Sequence, residues 1–282
     1  MRSALFAVAV ACSAAATAGM PPAQQLLYRA NFSAALDVTC EADLLGPSGK
    51  VRAREPTSAW VLESQGNASV AATTAGGRLA MRNHGAHMVL WANRAFPPDY
   101  ELRFGVAPNS TEHGLAIVFF STTANDKSLR SIFALSLPPR NGDYANYHSG
   151  ALGGYSDSYY RGDAYGPAGK PLPANETPPA CSVNPHDGKC AANLRKNPGF
   201  HLVQQGDDLL IHRAPRDGVA FEVVLRKLGA ALSVTVDGAP AIAWTDNSSS
   251  TTGPLAGGFI GLRQMAATGV GTYTHFEVFT AR

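Results

Sequence analysis

Ala231-Leu232-Ser233-Val234-Thr235-Val236, then Asp237-Gly238, then Ala241-Ile242-Ala243-Trp244 is the stretch from which the fold is read. Apolar and polar residues alternate along the first arm, the period-two pattern of a half-buried strand. Asp-Gly suits a tight hairpin turn, whose central residues take positive φ. A second apolar arm closes the hairpin on a tryptophan. The pattern continues outward in both directions. Towards the C-terminus, Gly258 to Gln264 and His275 to Phe279 read as strands. Towards the N-terminus, Phe221 to Arg226 and Tyr100 to Val106 do the same, and the unbroken apolar run Leu115 to Phe120 belongs in the middle of a sheet. His87 to Trp91, Arg78 to Met81, Ala68 to Thr73, Trp60 to Glu63 and Gln24 to Phe32 are shorter strand segments. Ile132 to Leu135 is expected to continue the sheet, and Glu41 to Pro56 is polar, punctuated by Pro and Gly, and read as a loop. No stretch carries a long amphipathic helix, and no period of solenoid or propeller length repeats. Many strands and almost no helix imply an all-β domain, a jelly-roll sandwich of two antiparallel sheets.

Residues 138–198 stand apart. They are rich in Gly, Pro, Tyr, Asn and Asp and show little periodicity, so they read as a long irregular loop region beside a groove. Two polar clusters fall in it or at its end. One is Tyr144, Asn146, Tyr147, His148 and Ser149, followed by Tyr155, Tyr159, Tyr160 and Arg161. The other is Asn193-Leu194-Arg195-Lys196-Asn197-Pro198-Gly199-Phe200-His201, which puts two cations, two asparagine amides and an imidazole where a loop enters a strand. Polar groups bunched at such a junction are a common way to build a site on a rigid sheet. The two clusters are expected to meet over one groove.

The first residues point to export. Met1-Arg2 is a short basic start, Leu5 to Ala11 an apolar core and Ala16-Thr17-Ala18 a small-residue cleavage site, so residues 1–18 read as a secretory signal peptide and 19–282 as one domain. Sequons at Asn31, Asn67, Asn109, Asn175 and Asn247 agree with a secreted glycoprotein. Once Cys12 leaves with the signal, Cys181 and Cys190 flank a short turn-rich segment and form the natural disulfide pair. Cys40 is then odd: buried and free, or the partner of one of those two. The formal net charge is +2 with the basic residues scattered, which argues against nucleic acid or a membrane surface as partner. A monomer is expected.

Several strings together resemble the YesU-like family, a family of unknown function in the concanavalin A-like lectin/glucanase superfamily. They are Ala86-His87-Met88-Val89-Leu90-Trp91, Gly114 to Phe120, Tyr147-His148-Ser149-Gly150, Ser158-Tyr159-Tyr160-Arg161, Asn193-Leu194-Arg195-Lys196, Gly199-Phe200-His201, Trp244 with Asp246, and Ile260 to Met265. The resemblance implies a concanavalin A-like jelly roll and a setting in polysaccharide use, with pectin or other uronic-acid polymers as the substrate class. Ala151 stands where the family pattern leads one to expect an Asp, leaving Asp157 as the substitute.

A glycosidase on this fold needs two carboxylic acids flanking the bond. No Glu-x-Asp-x-Glu string occurs; Glu101, Glu222 and Glu277 read as solvated strand residues, and Asp246 as a turn residue. The polar clusters suit β-elimination at a uronic acid better. That reaction needs a cation or amide to neutralise the carboxylate, a base to take the neighbouring proton, and an acid for the leaving oxygen. Arg195, Lys196, Asn193 and Gln264 suit the first role, His148 or His201 the second, Tyr159 or Tyr147 the third. Arg263 and His113 are further substrate-binding candidates. No metal or other cofactor is required; a structural calcium ion on a loop has no Asp-rich string behind it. The competing functions are a glycoside hydrolase on the same glycans and a lectin-like module that binds an oligosaccharide without cleaving it.

Overall fold

The computed structural model describes residues 24–66, 68–73, 77–108, 115–148, 150–161, 192–206, 220–247 and 253–281. Its strands, in chain order, are β1 (Leu26–Arg29), β2 (Val38–Cys40), β3 (Trp60–Ser64), β4 (Ser69–Thr73), β5 (Arg78–Arg82), β6 (Met88–Ala92), β7 (Tyr100–Pro108) and β8 (Leu115–Ala124). A single helical turn, α1 (Ala145–His148), precedes β9 (Leu152–Arg161). Then come β10 (Ala192–Asn197), β11 (His201–Gly206), β12 (Phe221–Leu228), β13 (Ala231–Val236), β14 (Ala239–Thr245), β15 (Phe259–Gln264) and β16 (Val270–Thr280). One sheet runs β14-β13-β12-β7-β16-β5-β4, with β1 also paired to β16. The other runs β11-β10-β9-β8-β15-β6-β3-β2. The pairs are antiparallel except β2 with β3, which is parallel, a departure from the expectation of purely antiparallel sheets. The opening hairpin is β13–β14, with Asp237 and Gly238 both at positive φ as its turn requires.

Period-two alternation builds the core between the sheets. Leu102, Phe104 and Val106 of β7 and Leu262 and Ile260 of β15 are buried there, with Phe276 and Trp60 meeting edge to face at 5.4 Å. A second core lies on the outer face of the β8–β15–β6–β3 sheet. It is made by Val61, Val89, Trp91 and Phe119 from the sheet and by Ile132, Phe133 and Tyr147 from the segment that crosses it. Gly261 lets Trp91 lie down on the sheet: a Cβ there would stand 2.6 Å from the indole ring. Trp91 then stacks on Phe119 at 5.5 Å.

Four expectations change. Ile132 to Leu135 forms turns instead of a strand, because Ile132 and Phe133 bury themselves in this second core and not in a ladder. Residues 138–198 are not one irregular loop, since α1, β9 and β10 lie within them. Their periodicity was hidden because polar residues point to both faces: Tyr155, Asp157 and Tyr159 inward, Ser156 and Ser158 outward. Asp246 is buried at the end of β14 and pairs with Lys196, more than a turn residue does. Cys40 is exposed, not buried, and its thiol has no partner among the described residues. Asn31 and Asn247 are exposed. The signal segment, Cys181, Cys190, His113, Asn67, Asn109 and Asn175 lie outside the described residues.

Candidate functional site

Two cross-strand rows make the floor of a cavity of about 530 Å³ on the outer face of the second sheet. Strand register sets the rows. Arg263 of β15 is opposite Ile117 of β8, Ile117 opposite Ser158 of β9, and Ser158 opposite Asn193 of β10. The next row outward is Phe119, Ser156 and Arg195. At one residue in two, these side chains share a face, so a run that looks mixed in sequence becomes a polar floor. On one side the second core covers the sheet; where its cover ends, the cavity begins.

The segment carrying Tyr144 and His148 is pinned from below. Glu63 is fully buried and pairs with Arg140 at 2.6 Å. The same carboxylate accepts hydrogen bonds from Tyr147 Oη at 2.6 Å and Trp91 Nε1 at 2.9 Å. Burial, then the Glu63 charge, holds the Tyr147 phenol well above its ordinary value, so it stays a donor. A second buried pair, Arg52 with Glu41 at 2.6 Å, anchors the same segment through Arg52 Nη1, which donates to the carbonyls of Ala134 and Leu137. Gly142, at φ +86°, passes so close to β6 that a Cβ would sit 2.5 Å from the His87 carbonyl.

Arg263 is the cation of the floor. It is 2% exposed. Its Nε donates to Gly142 O at 3.2 Å, its Nη2 reaches His87 Nδ1 at 3.3 Å, and its guanidinium lies 5.1 Å from the Tyr144 ring centre. Among the described residues no carboxylate forms an ion pair with it. Burial draws its pKa down from the usual value, yet a guanidinium stays charged at neutral pH. The far wall is aromatic. Tyr144 Oη is 2.8 Å from Ser156 Oγ, and its ring centre is 5.6 Å from that of His148. Burial holds the Tyr144 phenol above its ordinary value. Phe200 closes the group, 5.4 Å from His148 and 5.0 Å from Tyr144, with the Arg195 guanidinium 3.8 Å from its ring centre. Phe200 is 42% exposed and sits at φ +58°, a strained setting for a non-glycine residue. Arg195 Nη1 donates to its carbonyl at 3.2 Å and the Asn197 side chain accepts its N–H at 3.2 Å. Gly199 N–H donates to His148 O at 3.2 Å, which ties α1 to the β10–β11 turn.

Of the residues singled out in the sequence, His148, Asn193, Arg195 and Arg263 line this cavity. Tyr147 lies beneath its wall, bound to Glu63. Tyr159 does not reach it: the side chain is in the inter-sheet core, its hydroxyl 2.9 Å from that of Tyr273. Lys196 is turned to the same interior, its Nζ 2.5 Å from Asp246 and 3.0 Å from Gly253 O. Gln264 is interior too; with its amide oriented to match its neighbours, it donates to Met81 O and accepts from Gly271 N–H, both at 3.2 Å. His201 is exposed at the start of β11, paired in register with Lys196, and is not in the lining. Asp157 faces the core and cannot stand in for an acid at Ala151. Tyr144 and Phe200 belong to the two clusters expected at the groove but carried no chemical role in the sequence; His87, Asp143, Ser156 and Ser158 were not assigned to the site. The register of Ser156 and Ser158 against Arg195 and Asn193 was the signal, and it needed the strand pairing to be seen. No group of three or more His, Cys, Asp or Glu that could hold a metal occurs among the described residues.

The family model described as a domain of unknown function, DUF1961, matches residues 48–166 and 187–278. The uncharacterized protein YesU of Bacillus subtilis (strain 168) is 31% identical over 183 residues, which cover 64% of this chain and 72% of that one. A solved protein of unknown function with a galectin-like fold, also from Bacillus subtilis, superposes with a TM-score of 0.58 at 23% identity, covering 92% of this chain and 98% of that one. The Ca²⁺-bound exoplasmic/lumenal domain of VIP36 gives a TM-score of 0.46 at 11% identity, over 88% of this chain and 89% of that one. The fold is therefore the galectin-like, concanavalin A-like jelly roll, and with a match on both flanks of residues 167–186 the chain belongs to the DUF1961, YesU-like family.

Proposed function

We propose that the protein is a secreted lyase that binds a uronic-acid-bearing glycan in this cavity and cleaves it by β-elimination. One observation carries the reading: a buried guanidinium, Arg263, faces the cavity with only neutral hydrogen-bond partners among the described residues. A buried charge without a direct ion pair is costly; Asp143 acts on it only through space, and a ligand carboxylate would supply the direct partner. Around it stand the other groups that elimination needs. Arg263 neutralises the uronate carboxylate, which acidifies the proton on the adjacent ring carbon. His148 takes that proton. The electron pair forms a carbon–carbon double bond as the bond to the glycosidic oxygen breaks, and Tyr144 protonates the departing oxygen. Solvent then returns the proton from His148 to Tyr144. Burial keeps Tyr144 protonated beforehand, as an acid must be. Phe200, exposed and braced by Arg195, offers a sugar ring a flat apolar face.

Hydrolysis has less support. It needs two carboxylates across the bond. Asp143 is the acidic residue of the lining, and its Oδ1 already accepts the Ala145 N–H at 3.1 Å at the start of α1. The test is a panel of homogalacturonan, rhamnogalacturonan, glucuronan and alginate, assayed in parallel for ultraviolet absorbance of new conjugated double bonds and for new reducing ends. Both signals rising together on one polymer is the expected result. Reducing ends without absorbance would transfer the site to hydrolysis, and silence in both with measurable binding would make it a lectin-like module.

A further inference from the structure

We propose that His87 is the second donor of the carboxylate subsite: a neutral imidazole, fixed with its proton on Nε2, that joins Arg263 in holding the acid group of the glycan. The inference rests on the reading of Arg263 given above, and the geometry around Nδ1 carries it. That nitrogen receives the backbone N–H of Ala266 at 3.1 Å and faces Arg263 Nη2 at 3.3 Å. Both partners can only donate. Nδ1 must therefore present its lone pair, and the proton of the neutral ring lies on Nε2. Charging the ring would set a new N–H against two donors.

The ring is held in this state from three sides. Just before β6, its main chain is tied to Gln65, through Gln65 N–H to His87 O at 3.2 Å and His87 N–H to the Gln65 side-chain Oε1 at 3.5 Å. From β15 it faces the Arg263 charge, and from the crossing segment Asp143. Burial, then Arg263, depresses its pKa, while Asp143 opposes them with a smaller pull; the net direction is down. His87 is half-buried and lines the cavity, so Nε2–H is the polar group it has left for a ligand. Two consequences follow. His87 cannot serve as the base, which leaves that role to His148. And the acid-sugar subsite is placed at the β6–β15 end of the floor, away from Arg195, with Arg263 and His87 making two different hydrogen bonds to one carboxylate.

Two measurements on the full chain test this. Long-range ¹⁵N–¹H NMR of histidine-labelled, ligand-free protein is expected to show His87 with Nδ1 bare and Nε2 protonated at neutral pH, titrating below its ordinary 6.5. Calorimetric titration then compares wild type, His87→Gln and His87→Phe for an oligouronide and for its carboxyl-reduced counterpart. Gln keeps an acceptor for Ala266 N–H and a donor for the ligand; Phe keeps neither. H87F is expected to weaken uronide binding by about ten- to a hundredfold, as loss of a hydrogen bond to a charged group does, while neutral sugar binding stays and H87Q retains most of the affinity. An Nδ1–H tautomer, or a charged ring at neutral pH, would overturn the proposal even if H87F failed to fold. Uronide binding that H87F leaves intact would overturn it while sparing Arg263. No uronide binding by wild type would overturn the Arg263 reading and His87's role with it.

Discussion

Tyr144 and His148 are four residues apart and their rings meet 5.6 Å apart in the cavity wall, which makes a proton donor and a proton acceptor neighbours. The expected effect of His148→Ala is a fall in turnover of roughly a hundredfold or more with KM little changed, measured by steady-state ultraviolet kinetics. For Tyr144→Phe the same assay is expected to show a comparable fall. Because burial raises the Tyr144 pKa, the wild-type rate should hold on the alkaline side until beyond the ordinary tyrosine value. Arg263→Lys keeps the charge but loses the fork, so its effect should fall on KM for acidic sugars, by about tenfold. His148, Arg195, Asn193 and Arg263 were legible in the sequence as polar groups near loop–strand junctions. Tyr159, Lys196 and Gln264 misled for one reason. Each is next in sequence to a cavity residue, namely Ser158, Arg195 and Arg263, and adjacent strand residues point to opposite faces.

The element that makes the site is the segment from Ile132 to His148, laid across the sheet and fastened by Glu63 and Arg140. Glu63 looked like an ordinary strand residue between Leu62 and Ser64. Nothing local in its sequence distinguishes an acid on a solvent face from one beneath a crossing segment. Its worth depends on three partners from other elements: Arg140, Tyr147 and Trp91. Breaking a buried pair by removing one partner leaves an uncompensated charge, which costs about 3–5 kcal/mol. Glu63→Ala is therefore expected to lose about that much in urea unfolding and, where it still folds, to lose turnover because Tyr144 and His148 are no longer held. An unchanged midpoint would show that the second core alone fixes the segment. The hairpin β13–β14, by contrast, was readable residue by residue, since alternation and an Asp-Gly turn are local signals.

At the scale of the molecule, one residue runs against the packing of the sandwich. Asp157 lies in an inward row with Leu90, Leu262, Val118 and Leu194, is fully buried, and neither carboxyl oxygen has a hydrogen-bond partner among the described residues. Burial pushes its pKa up to about 8. The folded chain thus keeps a proton that the unfolded chain releases near pH 4. The associated penalty is absent below about pH 4, grows as the pH rises towards 8, and levels off above it. Asp157→Asn is expected to match wild type in chemical denaturation near pH 4 and to exceed it by about 2–4 kcal/mol at pH 8. A constant gap across that range would mean that Asp157 is charged or solvated in the fold. The two-sheet architecture itself was legible because most strands carry a local signal, alternation or a short apolar run; the cavity was not, because it exists only where β8, β9, β10 and β15 come into register.

In the proposed reaction Arg263 and its neighbours hold a uronate while the glycosidic bond next to it is broken by elimination. The most direct measurement follows ultraviolet absorbance and reducing ends on a single polyuronide, native and carboxyl-reduced. Absorbance and reducing ends that rise together on the native polymer, with neither on the reduced one, are the expected result. Cleavage of the carboxyl-reduced polymer, or new ends on the native polymer without absorbance, would contradict it.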